Sequence, residues 1–220
     1  MNKKAVILLS GGLDSTTILY AAKRKKFHPC CLIFDYGQRH KKEIRQAKKV
    51  AEFARADYKI VNFQLPWKGS SLLDKSLKLP ARKKINTKEI PSTYVPGRNI
   101  IFLSFAVSFA EAIGAKAVFI GANAIDFSGY PDCRREFFNA YQKMMAKGLK
   151  TGVQGKNIKI YVPLINKTKE QIIKMGMKLK VPYDLTWSCY AGNQRPCGKC
   201  DSCSLRAKGF VEAGFIDPAA

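Results

Sequence analysis

The stretch Ala5-Val6-Ile7-Leu8-Leu9-Ser10-Gly11-Gly12-Leu13-Asp14-Ser15-Thr16 decides the fold. Its five leading apolar residues read as a strand, and the run from Ser15 to Lys25 reads as a helix. Between them two adjacent glycines let the backbone turn with no Cβ in the way, so successive N–H groups can face an anion. Ser10, Ser15 and Thr16 add hydroxyl donors, and the helix presents the positive end of its dipole to the same point. The pattern lacks the lysine of a Walker loop and is not the dinucleotide fingerprint. On loop chemistry alone, an ordinary Gly-Gly turn between strand and helix stays open as the alternative.

The string Ser10-Gly11-Gly12-Leu13-Asp14-Ser15 resembles the PP-loop of the ATP pyrophosphatases, which activate a substrate oxygen by attaching AMP to it and expelling pyrophosphate. This resemblance implies that ATP sits on Leu8, Leu9, Ser10, Gly11, Gly12, Leu13, Asp14, Ser15 and Thr16, with Gly121 beside them.

Outward from this loop, strand-like runs alternate with amphipathic ones, which predicts an α/β fold: a Rossmann-like open parallel sheet with helices on both faces. Strands are expected at Ala5–Leu9, Cys31–Phe34, Tyr58–Val61, Ala117–Ile120 and Ile158–Val162. Helices are expected at Ser15–Lys25, Lys41–Ala54, Asn99–Gly114, Arg134–Lys147, Lys169–Lys180 and Ser204–Ala213. Ligands of such sheets sit beyond the carboxyl ends of the strands, so Ser10, Asp35, Gly121 and Pro163 should converge. The Pro-rich segment within about residues 64–98 breaks the alternation and reads as a cover over the site or as a surface loop. An ATP-binding domain over residues 1–185 and a small C-terminal segment over 186–220 follow.

That C-terminal segment holds Cys189, Cys197, Cys200 and Cys203 in the spacing Cys-x7-Cys-x2-Cys-x2-Cys. Overlapping Cys-x2-Cys turns suit a tetrahedral Zn2+, one per chain, and four thiolates leave no open position, so the role is structural. An iron–sulfur cluster is the next reading. A disulfide framework fits less well, because nothing reads as a secretory signal and a cytoplasmic location is expected. No apolar run reaches membrane-spanning length.

Lysines and arginines number 39 against 16 acidic residues, a net charge of +23. The excess is spread along the chain, which leaves a solvated surface and a field for anionic ligands as equal readings. In Tyr94-Val95-Pro96-Gly97-Arg98-Asn99, Asn99 is the expected N-cap of the next helix. Arg98 is placed to fork onto a carboxylate or phosphate, or is a surface arginine in a turn. The loop from Gly121 to Arg134 offers Asp126 and Asp132 as acceptors for a purine-like edge or Mg2+, and Phe127 and Tyr130 as stacking faces. Asp132 would equally cap the helix that follows. His40 reads as a cap or surface residue rather than a catalyst.

Together SGGLDST, FDYGQRH, YVPGRN, GYPDCR and the terminal TWSCY…PCGKCDSC…R…GF…AG…DP resemble the 7-cyano-7-deazaguanine synthase family of the queuosine pathway. The resemblance spans nearly the whole chain. It implies that 7-carboxy-7-deazaguanine and ammonia become the nitrile through an adenylated acid and an adenylated amide, with ATP and Mg2+ as co-substrate and structural zinc on the four cysteines. Asp14, Arg98 and Lys169 are the expected catalytic residues; Tyr94, Arg98, Asp126, Tyr130, Asp132 and Arg134 the expected substrate contacts. Small molecules rather than nucleic acid or membrane are the expected partners, and a homodimer the expected assembly. One departure is Lys169-Glu170-Gln171, where the family tends to carry Lys-x-Glu, which puts a role for that glutamate in doubt. The competing reading is a PP-loop enzyme acting on tRNA directly; a third is a zinc-containing nucleic-acid-binding module.

Overall fold

The computed structural model describes residues 3–80, 90–123 and 129–219. Its centre is a five-stranded, all-parallel sheet with the order β3-β2-β1-β4-β5. The strands are β1 (Lys3–Leu8), β2 (Phe27–Asp35), β3 (Asp57–Asn62), β4 (Ala117–Phe119) and β5 (Lys159–Tyr161). The helices are α1 (Leu13–Arg24), α2 (Lys42–Phe53), α3 (Arg98–Ala112), α4 (Arg135–Gly148), a short α5 (Lys150–Val153), α6 (Lys169–Lys178) and α7 (Asp201–Ala213).

Successive side chains of a strand point to opposite faces, and β1 shows the result. Ala5, Ile7 and Leu9 pack with Leu13, Ile18 and Leu19 of α1, with Ala47 and Val50 of α2, and with α6 and α7. Val6 and Leu8 pack on the other face with Leu103, Ala106 and Val107 of α3 and Phe138 and Met145 of α4. Both faces are covered, which is why β1 reads as an unbroken apolar run rather than an alternating one.

Strand β2 starts four residues earlier than its apolar pattern suggests, taking in Pro29. Proline lacks an N–H, yet here that costs no ladder bond on the β3 side, since β3 pairs only from Cys30 onward. Helix α1 begins at Leu13 and α7 at Asp201, each ahead of its expected start. Asn99 is not the N-cap of α3: Gly97 takes that place at φ 64°, and Asn99 lies in the first turn. Among the described residues no helix is long and apolar enough to cross a membrane.

Candidate functional site

The strand order reverses between β1 and β4, and the main cavity opens beyond the carboxyl ends of these strands and β2. Ser10 and Gly121 line it as expected. Asp35 instead pairs with Lys41 at 2.8 Å, and Pro163, beyond the edge strand β5, lies outside the lining.

The loop after β1 is held by its own hydroxyls. Ser10 Oγ donates to Ser15 Oγ at 3.0 Å, while Ser15 Oγ and Thr16 Oγ1 donate to the Gly12 carbonyl at 3.1 and 2.8 Å. Gly11 adopts φ 79°, and a Cβ there would come within 2.5 Å of Ala47 N and Glu43 O, so only glycine lets the loop lie on α2. Gly121 packs closely from the other side, its absent Cβ facing Ser15 N at 3.2 Å. Leu8, Leu9, Ser10, Gly12, Leu13, Asp14 and Ser15 therefore wall the cavity, whereas Gly11 and the fully buried Thr16 shape the loop from behind.

Lys169 opens α6 and reaches Asp14 of α1, its Nζ 2.8 and 2.9 Å from the two carboxylate oxygens. Its stem fills a notch on α7 where a Cβ on Gly209 would overlap Lys169 Cγ. The Gln171 departure is also accounted for. Thr168 Oγ1 accepts from Gln171 N–H at 3.2 Å, and Gln171 Oε1 accepts from Thr168 N–H at 3.2 Å, a capping box that glutamine closes as well as glutamate.

On the far wall, Arg98 Nη1 donates to the Tyr36 hydroxyl at 3.3 Å, and Tyr130 lies beside it. Tyr130 is held by Thr93 Oγ1 at 2.6 Å and by the ring of Tyr94, 5.7 Å between centroids. Tyr94 stands behind the lining, its hydroxyl accepting from Gly97 N–H at 3.2 Å. Asp132 is 5% exposed and turned away from the cavity; its Oδ2 accepts from Asn99 N–H at 3.1 Å and so satisfies the start of α3 rather than α4. Arg134 is exposed, and Asp126 and Phe127 lie outside the described residues. Burial pushes the Cys133 thiol up to about 12, so it is protonated at neutral pH and no ready nucleophile.

The four cysteines converge as their spacing predicts. Sγ atoms of Cys189, Cys197, Cys200 and Cys203 all lie within 4.8 Å of one another, a set that can hold a tetrahedral metal ion. Cys200 caps α7 and Cys203 sits in its first turn, where the helix dipole favours thiolates. Cys189 Sγ also accepts N–H groups of Ala191 and Cys197 at 3.4 and 3.3 Å.

This segment is joined to the loop after β1. Trp187 N–H donates to Gly11 O at 2.9 Å; Lys42 Nζ lies 3.6 Å from the Trp187 ring centre and donates to the carbonyls of Asn193 and Gln194 at 2.7 and 2.6 Å. His40 packs under Gly192 and also lines the cavity, so it is neither a helix cap nor a surface residue. The cavity is also lined by Tyr36 of FDYGQRH, Tyr190 of TWSCY and the arginine of the terminal motif, Arg206, none of them singled out from the sequence as a site residue, and by Glu43, which lies outside every motif. Glu43 stands just past FDYGQRH, in the first turn of α2.

Residues 4–214 match the family model described as Queuosine biosynthesis protein QueC. The chain belongs to this family. Among its relatives, a 7-cyano-7-deazaguanine synthase of Thermoplasma volcanium is 54% identical over 99% of this chain and 90% of its own. One from Nostoc punctiforme is 52% identical over 98% of both. The structure of NMN synthetase from Francisella tularensis superposes with a TM-score of 0.51 at 15% identity, covering 98% of this chain and 79% of the other. That likeness concerns the fold alone, an open parallel sheet with helices on both faces.

Proposed function

We infer that the protein is an ATP-dependent, C–N bond-forming ligase that converts 7-carboxy-7-deazaguanine and ammonia to 7-cyano-7-deazaguanine. The observation that carries this reading is the meeting of two walls in one cavity. The Ser10–Ser15 loop with the Asp14–Lys169 pair forms one, and Arg98 with Tyr130 forms the other.

A carboxylate oxygen is a poor leaving group, so AMP must first be attached to it. The loop N–H groups and the α1 N-terminus hold the phosphates, and Lys169 moves from Asp14 toward the charge that develops on the departing pyrophosphate. Arg98 forks onto the acid and orients it, and the Tyr130 ring covers its flat face. Ammonia displaces AMP to give the amide, and a second adenylation on the amide oxygen lets the C≡N bond form as AMP leaves. Mg2+ entering with ATP supplies further charge neutralisation. No covalent nucleophile of the protein is required.

The 64–98 segment, whose Leu72 lines the cavity, is read here as a cover over this site. Arg39 pins it, with Nη1 donating to the carbonyls of Ser71 and Leu77 at 3.0 Å and Nη2 to that of Lys75 at 3.1 Å. Zn2+ on the four cysteines would supply folding energy and brace the loop through Trp187. The deciding assay is pyrophosphate release from ATP with 7-carboxy-7-deazaguanine and ammonium, with tRNA as the control substrate. Release only with tRNA would favour a tRNA-acting enzyme instead.

A further inference from the structure

Glu43 is a carboxylate that the fold leaves without an assignment. It sits in the first turn of α2, half-buried in the cavity wall, and makes no hydrogen bond or ion pair among the described residues. The groups facing it are Arg98 from α3, Tyr36 after β2 and Tyr190 from the cysteine segment; His40 and the Asp14–Lys169 pair share the same cavity. An acid held in a site usually finds a donor, because a desolvated carboxylate is costly. Here its oxygens have no such donor among the described residues, in the same cavity as the guanidinium that the reading above assigns to the substrate acid.

We propose that Glu43 is the ammonia site: it attracts ammonium into the cavity beside the adenylated acid and takes a proton from it. This rests on the function inferred above. Ammonia in neutral water is almost all ammonium, whose nitrogen has no lone pair to attack with, so the reaction needs both a cation holder and a base. One proton passes from ammonium to Glu43. The freed lone pair forms the N–C bond, the bond between that carbon and the AMP oxygen breaks with its electron pair leaving on AMP, and the second proton lost from nitrogen goes to water. Burial pushes the Glu43 carboxyl up to about 7 despite Arg98, which suits a group that must both accept and release a proton near neutrality.

The test compares two nucleophiles on the full-length protein. Glu43→Gln should lower kcat/KM for ammonium by about a hundredfold or more at pH 7. Hydroxylamine is uncharged there and needs no base, so hydroxamate formation by the variant should come back to within about tenfold of wild type, the remaining range expected for loss of orientation. Glu43→Asp, which keeps a shorter carboxylate, should fall between. Equal losses with ammonium and hydroxylamine, or no loss with either, would overturn the proposal. If wild type forms neither amide nor hydroxamate from the acid, the inferred function itself fails, a result distinct from either outcome for Glu43.

Discussion

Lys169 and Asp14 lie 155 residues apart and meet at 2.8 and 2.9 Å, closing one wall of the cavity from two helices. The pair is largely shielded, with side chains 10% and 21% exposed, and the lysine stem is guided by the Gly209 notch. Gly209→Ala should therefore push Lys169 off its line although residue 209 touches no ligand. Pyrophosphate release should drop by about tenfold or more, while Lys169→Ala, which removes the charge outright, should lose on the order of a hundredfold. Full activity in Gly209→Ala would show that the lysine stem has another route to Asp14.

The Trp187–Gly11 hydrogen bond couples the cysteine segment to the loop after β1. Chelation of metal, or Cys200→Ser, should lower Tm and weaken ATP binding together, since the loop loses a backbone partner when the segment loosens. Metal analysis with calorimetric ATP titration checks both. Undiminished metal in Cys200→Ser would remove that cysteine from the set.

Arg98→Lys keeps the charge but not the fork. Binding of the acid should weaken more than binding of ATP, and the amide, which lacks the carboxylate, should be spared most of the loss. Steady-state rates with acid and amide side by side decide it; equal losses would place Arg98 on ATP or the scaffold.

Glu43 also has a signature in stability. Its folded pKa, near 7, stands above the ordinary carboxylate value of 4.5, so the folded state binds the extra proton within that window. Stability is therefore lost as pH rises from 4.5 through 7. Glu43→Gln should melt like wild type at pH 4 and several degrees higher at pH 8. A constant offset across the range would show that the carboxyl is not desolvated.

Arg206 is 7% exposed and grips Asp217 with Nε and Nη2 at 2.7 and 2.8 Å, while also donating to Thr186 Oγ1 and the Tyr183 carbonyl. Arg206→Ala removes the cation from the largely shielded Asp217 carboxylate and should cost about 3–5 kcal/mol by denaturant unfolding. A cost under about 1 kcal/mol would mean the chain end detaches and water takes its place.

From sequence alone came whatever depends on neighbours along the chain. The buried strand and glycine loop at Ala5–Ser15, the parallel alternation, and the Cys-x2-Cys turns at Cys197–Cys203 are local patterns whose geometry follows from backbone sterics and period. Tertiary structure alone decided which polar groups the fold consumes and which it leaves for chemistry. Asp132 and Glu43 are both acids at helix starts and look alike as sequence. The first is spent on the N–H of Asn99, brought to it by the packing of α3 against the Pro131–Cys133 turn, and the second is left facing the cavity. A buried backbone donor takes the nearest acceptor that packing supplies, and that acceptor is set by contacts between residues far apart in the chain.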